Sequence, residues 1–215
     1  MIRVLLVDDH VSFRQPLAFM FELEPDLTVV GQAGSVAEAR PMLKGVDIAV
    51  VDLNMPDGNG LGVIADMRKV NPNGMVLILT ASNDRIEWGQ AIEAGAAGVL
   101  HKSASISDII SATRRLSTGD HLLSPREVSE LLRLVGQHRD KDRVAQGALA
   151  RLTPREREVL QALADGMNDK EIALRLKIST ETARSHMVNI LGKLNVNSRL
   201  QALVFAVRHG AIRIE

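Results

Sequence analysis

The chain has 215 residues, of which 46% are hydrophobic, 24% charged and 2% aromatic. That length allows one or two cores, built from Leu, Val, Ile, Ala and Met. It has no cysteine, which excludes disulfides and thiolate metal sites and suits a reducing compartment. Acid at Asp8 comes too early for the apolar region of a signal peptide, and no apolar stretch nears the ~20 residues that span a bilayer, so a cytoplasmic protein without membrane contact is expected.

The formal charge of zero hides an asymmetry. Residues 1–120 carry 10 Lys+Arg against 15 Asp+Glu, residues 121–150 carry 5 against 4, and residues 151–215 carry 11 against 7. An acidic front and a basic back suggest different partners for the two ends, nucleic acid among them for the second.

In chain order, short β-branched runs alternate with amphipathic ones through residue 120. Strands are predicted at Ile2–Val7, Leu27–Ala33, Asp47–Asp52, Met75–Thr80 and Ala97–His101. Helices are predicted at 11–24, 35–44, 59–70, 84–95 and 105–117. Strands as apolar as VLLV and VLIL must be covered on both faces, which predicts an α/β doubly wound, five-stranded parallel sheet. Ligand chemistry in such sheets gathers at the carboxyl ends of the strands.

Residues 121–150 predict a linker. Ser124, Pro125 and Glu127 have the pattern of a helix start, and Val128, Leu131, Leu132 and Val135 follow at helical spacing. The charged stretch GQHRDKDRVAQGA behind them predicts a flexible tether. From Leu152 onward everything predicts helix. Thr153 with Glu156 forms a capping pattern, Gly166 ends the first helix, Asn168 with Glu171 opens the second, Ser179 caps the third, and a fourth runs from about Ser198 to His209. Two short helices and a tight turn before a helix with a polar face make an all-α helix-turn-helix domain.

The residues closing the strands carry the chemistry. The first strand leads into Asp8 and Asp9, the third ends at Asp52, the fourth at Thr80, and the fifth is followed by Lys102. Three carboxylates converging on one sheet edge repel one another unless a cation lies between them, and oxygen ligands favour Mg²⁺. An aspartate there can accept a phosphoryl group as an acyl phosphate. Lys102 supplies a point charge for it, and the Thr80 hydroxyl a hydrogen bond. A lone Asp after a strand is commonly just a helix N-cap, but five such residues on four strands are not explained that way.

The segments VDDH at 7–10, VDLNMPDGNG at 51–60, LTAS at 79–82 and GVLHK at 98–102 resemble the receiver domain of two-component response regulators. The resemblance covers residues 1–120. It implies Asp52 as phosphoacceptor, Asp8, Asp9, Asp52 and the main-chain carbonyl of Asn54 as Mg²⁺ ligands, and Thr80 and Lys102 as readers of the phosphoryl group. Two positions depart from it. The place three before the lysine, usually Tyr or Phe, is Val99, so the switch pair is Thr80 with a residue that has no ring to turn inward; and Ser103 stands where many receivers have proline.

The segment LTPREREVLQALADGMNDKEIALRLKIST, from Leu152, opens a stretch over about 151–213, within the predicted 151–215 domain, that resembles the LuxR-type output domain of the NarL/FixJ family. That implies a helix over 180–194 lying in the DNA major groove. At 100° per residue its apolar stripe leaves Glu181, Ser185, Val188, Asn189 and Gly192 outward, flanked by Thr182, Arg184 and Lys193. Arg184, Ser185 and Asn189 suit base edges, with Val188 on the same face. Lys170, Thr180, Thr182, Lys193 and Arg199 suit phosphates. Gly192 inside a helix costs roughly 1 kcal/mol, which either close helix packing or close approach of DNA would explain.

Together the two resemblances imply a transcriptional response regulator, not an enzyme beyond assisting its own phosphorylation and dephosphorylation. The implied partners are a sensor histidine kinase, double-stranded promoter DNA, a second copy of the chain when active, and RNA polymerase. Val99 motivates an alternative, a regulator gated by a protein or small ligand without phosphorylation. A haloacid-type phosphatase would need a second acid two residues beyond the nucleophile, where Asn54 stands. A sigma-factor fragment leaves the first 120 residues unexplained.

Overall fold

The computed structural model describes residues 1–212, leaving the last three residues of the expected 151–215 domain outside the description. The chain divides into two compact units, Met1–Gly136 and Gln137–Glu215.

The first unit is a five-stranded parallel sheet of β1 (Ile2–Val7), β2 (Leu27–Ala33), β3 (Ile48–Asp52), β6 (Met75–Thr80) and β7 (Gly98–His101), in the order β2-β1-β3-β6-β7. Between β3 and β6 lies a small antiparallel hairpin, β4 (Asn54–Met55) with β5 (Gly58–Asn59). The helices are α1 (Val11–Glu22), α2 (Val36–Ala39), α3 (Leu61–Val70), α4 (Arg85–Ala94) and α5 (Ile106–Ser117). Successive strand side chains point to opposite faces, and the core divides accordingly. Leu5, Val7, Ala49, Val51 and Ile78 pack with Ile64 and Met67 of α3, whereas Val4, Leu6, Ile48, Val50 and Leu77 pack with Phe21 of α1 and Leu116 of α5. Each such fully buried side chain contributes about 1.5–3 kcal/mol relative to exposure.

Two local expectations are corrected. The helix predicted over 35–44 is one α-turn followed by a 3₁₀ turn at Arg40–Met42, because Pro41 has no N–H to donate back to the Ala37 carbonyl and so interrupts the α-helical bonding. The hairpin was not predicted; its strands are two residues each, too short to show a period.

The expected tether is helical. Helix α6 runs Pro125–Ala150, because the charged stretch hides Ala145 and Leu149, both buried and spaced by four. A contact of His138 Nε2 with Asp142 Oδ2 one turn on, at 3.2 Å, adds local support. In the first unit the start of α6 lies on α4: a Cβ added at Gly89 would sit 2.7 Å from the Leu131 carbonyl oxygen. The second unit continues with α7 (Pro154–Ala164), α8 (Asp169–Leu176), α9 (Thr180–Leu194) and α10 (Arg199–Arg208). Val159, Leu160, Ile172, Ala183, Met187, Ile190 and Ala202 form its core. No helix among the described residues is long and apolar enough to cross a membrane.

Candidate functional site

Parallel packing brings the carboxyl ends of β1, β3, β6 and β7 to one edge, and with them Asp8, Asp9, Asp52, Thr80 and Lys102. Asp8 and Asp52 are only 4% and 3% exposed, and Thr80 is fully buried. Lys102 bridges the two acids, its Nζ 2.7 Å from Asp8 Oδ2 and 2.7 Å from Asp52 Oδ2. The ammonium also lies 5.2 Å from the centroid of the Phe13 ring, an orientation that favours a cation. Its backbone is fixed by a hydrogen bond from Lys102 N–H to the Thr80 carbonyl, 2.7 Å.

The remaining acceptors are held from the main chain. Asp52 Oδ1 accepts the Asn54 N–H (3.1 Å) and Asp8 Oδ1 the His10 N–H (2.8 Å). Thr80 Oγ1 accepts the Ser82 N–H at 3.0 Å. Burial pushes the Asp52 carboxyl above the usual carboxylate range, against the lowering effect of Lys102 and the Asn54 N–H; the Asp8 charge pushes the same way as burial. For Lys102 burial works against the ammonium, but its hydrogen bonds to Asp52 and Asp8 outweigh that and hold it above the ordinary lysine value.

The donor set suits a divalent cation. One ligand atom from each of Asp8, Asp9, His10 and Asp52 lies within 4.8 Å of the others. Three carboxylates against one ammonium leave two negative charges unmatched, and hard carboxylate oxygens are what Mg²⁺ prefers.

Several supporting residues escaped the sequence reading. Arg14 Nη1 donates to the Asp8 carbonyl and, at 3.3 Å, to that of Ala33. Asp57, in the hairpin turn, accepts the N–H groups of Val36 and Ala37 at 3.0 and 2.9 Å, capping α2 from outside. Those bonds hold its carboxyl below the usual range. Gly60 stands where a Cβ would lie 2.1 Å from the Asp52 carbonyl oxygen; its place closing the turn of VDLNMPDGNG was the available signal. Val99 is buried in the apolar cluster beside β6. Two residues on, the His101 ring spans β7 and the loop after Thr80, with Nε2 2.9 Å from the Ala81 carbonyl and Nδ1 2.7 Å from Ser103 Oγ.

In the second unit α9 exposes Glu181, Ser185, Val188, Asn189 and Gly192 along one side, with Thr182 and Arg184 beside them. Val188 is 67% exposed. Several basic side chains expected to reach outward are engaged within the fold. Arg184 pairs with Asp169 (3.2 Å) and Glu181 (3.8 Å), and Arg199 takes the other Asp169 oxygen at 2.5 Å. Lys193 turns onto the buried Glu156, 2.6 and 2.8 Å from its two oxygens. The Thr182 hydroxyl lies 2.7 Å from that of the cap Ser179. Lys170 and Thr180 stand at the amino ends of α8 and α9. A Cβ at Gly192 would meet nothing within 4 Å, which removes helix packing as the reason for that glycine.

The comparisons agree with both halves. Residues 4–114 match the response regulator receiver domain, and residues 150–206 match the bacterial regulatory proteins of the luxR family. The chain is 35% identical to the DNA-binding transcriptional activator DevR/DosR of Mycobacterium tuberculosis, over 96% of this chain and 94% of that protein. It is 36% identical to the transcriptional regulatory protein UhpA of Escherichia coli, over 94% and 95%. Among solved structures, the response regulator ChrA of a heme-sensing two-component system aligns with a TM-score of 0.52 and 31% identity, covering 98% of each chain. The chain belongs to the NarL/FixJ family of two-component response regulators: it is a DNA-binding transcriptional regulator with a receiver domain and a LuxR-type helix-turn-helix domain.

Proposed function

We propose that Asp52 takes a phosphoryl group from a sensor histidine kinase, and that this phosphorylation controls dimerisation and promoter binding by the helix-turn-helix domain. The observation that carries the reading is Asp52 itself, a buried carboxylate 2.7 Å from Lys102 in a cluster with two unmatched negative charges. One Asp52 carboxylate oxygen forms a bond to phosphorus, the donor's P–N bond breaks, and the imidazole leaves with the electron pair. Asp8, Asp9, Asp52 and the Asn54 main-chain carbonyl are the residues that would hold Mg²⁺, which when bound neutralises charge on the phosphoryl oxygens. Lys102 is placed to pair with the new phosphate, and Thr80 to donate to one of its oxygens in place of accepting from Ser82.

Residues 1–120 then serve as receiver, 121–150 as a linker carrying α6, and 151–215 as the DNA reader. In the reader, Arg184, Ser185 and Asn189 reach base edges, with Val188 offering an apolar contact to thymine methyls. Lys170, Thr180, Thr182 and Arg199 face phosphates, and Lys193 mainly orients α9 through Glu156. Dimerisation on a two-fold-related site compensates for a recognition helix that also carries Glu181. RNA polymerase is the partner of such a complex at a promoter.

Val99 favours a second reading, control by a protein or small ligand without phosphorylation, because no aromatic ring follows Thr80 inward. One experiment decides between them: wild type and Asp52→Asn are treated with a small phosphodonor and Mg²⁺, then assayed for oligomeric state and promoter affinity. Phosphorylation control requires both to change in wild type alone. Unchanged affinity and mass in treated wild type would leave the second reading standing.

A further inference from the structure

His10 follows Asp9 directly and occupies the N-cap position of α1 with extended backbone, φ −79° and ψ 93°, yet its side chain caps nothing. The ring turns back toward the acids instead: Nδ1 lies 2.8 Å from Asp9 Oδ1 and 3.3 Å from Asp8 Oδ1. With a side chain 64% exposed, it forms the solvent-facing lip of the cluster, opposite the inner wall where Lys102 bridges Asp8 and Asp52. A cation arriving from solvent therefore meets an imidazole nitrogen and the Asp9 carboxylate together.

We propose that His10 is a direct ligand of the divalent cation at this site, giving it one nitrogen donor among its oxygens. This rests on the reading of Asp8, Asp9 and Asp52 as the metal site and adds a selectivity to it. Metal–nitrogen and metal–oxygen bonds of 2.0–2.2 Å hold ligand atoms at most about 4.3 Å apart. The four atoms observed within 4.8 Å of one another close to that spacing by small side-chain rotations. Magnesium gains little from imidazole, whereas Mn²⁺, Co²⁺ and Ni²⁺ accept it in rising order of affinity and Zn²⁺ accepts it readily too. His10 thus biases the receiver toward transition-metal loading, and the cation present becomes an input to the switch.

The test uses untagged, metal-free, full-length protein and measures Mg²⁺ and Ni²⁺ binding by calorimetry for wild type, His10→Ala, His10→Asn and Asp9→Asn, with the His10→Ala/Asp9→Asn double variant. Both His10 variants should lose roughly tenfold or more in Ni²⁺ affinity, in line with the effect of altering groups around bound metals, while Mg²⁺ affinity changes less than about twofold. The two Ni²⁺ losses should be non-additive in the double variant, since both groups hold one ion. Equal Ni²⁺ affinity in wild type and His10→Ala, or strict additivity with Asp9→Asn, would overturn the role of His10. Failure of wild type to bind Mg²⁺ at millimolar concentration would instead overturn the parent metal site.

Discussion

Replacing Gly60 by alanine is the sharpest mechanical probe of the phosphoacceptor site. Gly60 caps α3 with ordinary helical backbone, φ −52° and ψ −17°, so an added methyl brings no conformational penalty of its own. It brings a collision: the Cβ would lie 2.1 Å from the Asp52 carbonyl oxygen and 3.1 Å from both the Asp52 carbonyl carbon and Val51 Cγ1. Relieving the first contact needs about 1 Å of movement, and both partners are backbone, tied by the Gly60 N–H to Leu53 carbonyl bond of 2.8 Å. Overpacking of this kind costs about 1–3 kcal/mol. A misplacement near 1 Å at a reacting group lowers rate by roughly 100-fold. The assay is phosphate uptake from a small phosphodonor with Mg²⁺, read beside thermal unfolding. Gly62→Ala serves as control, because its Cβ would meet only Val36 Cγ1 at 3.5 Å and it lies inside α3, where alanine gains about 1 kcal/mol over glycine. Wild-type uptake and unchanged unfolding in Gly60→Ala would show that the backbone beside Asp52 yields freely, and the argument from positioning would fail.

Other consequences follow from the charges and helices. Because burial raises the Asp52 carboxyl, the folded state binds that proton more tightly than the unfolded chain, so stability falls as pH rises from about 4 toward the raised native value. Asp52→Asn should therefore unfold at higher temperature than wild type at pH 7 and lose the advantage in acid; a less stable variant at pH 7 contradicts this. Glu156 is the reverse case. Burial alone would raise it, but Lys193 and the Thr153 donors hold it below the usual range, so its stabilisation is complete above the unfolded value of about 4.3 and fades below it. Glu156→Gln should cost about 2 kcal/mol, less than the 3–5 kcal/mol of a fully buried broken pair because Lys193 is one-third exposed. The helical unit's transition should fall by about 10 °C, measured by circular dichroism. Gly192→Ala should stabilise the same unit by about 1 kcal/mol, since nothing lies within 4 Å of the new methyl; a loss of promoter affinity beside that gain would show that DNA approaches the bare backbone there.

Much of the architecture was legible in the sequence because it depends on local pattern. The apolar runs of β1, β3 and β6 announce strands buried on both faces, and the caps Ser124, Thr153, Asn168 and Ser179 all accept the backbone N–H bonds their spacing foretold. The acids and lysine at the strand ends were legible for the same reason, since parallel topology alone brings strand ends together. What was hidden depends on pairs far apart in the chain. Lys193 looked outward by helical angle until Glu156, 37 residues earlier, claimed its ammonium. Arg184 and Arg199 share Asp169 across three helices. The continuity of α6 was masked because charges outnumber the buried Ala145 and Leu149 on its second half. The turn of the His10 ring toward Asp9 leaves no mark in any sequence period.

The destination of the phosphoryl group is the central claim. Intact-mass and peptide mass spectrometry of the full-length chain, after incubation with a small phosphodonor and Mg²⁺, should show one alkali- and hydroxylamine-labile phosphoryl group on Asp52. It should be absent without the metal and absent in Asp52→Asn. Uptake that persists in Asp52→Asn, or no uptake by the metal-loaded wild type, would contradict the assignment of this sheet edge as the switch.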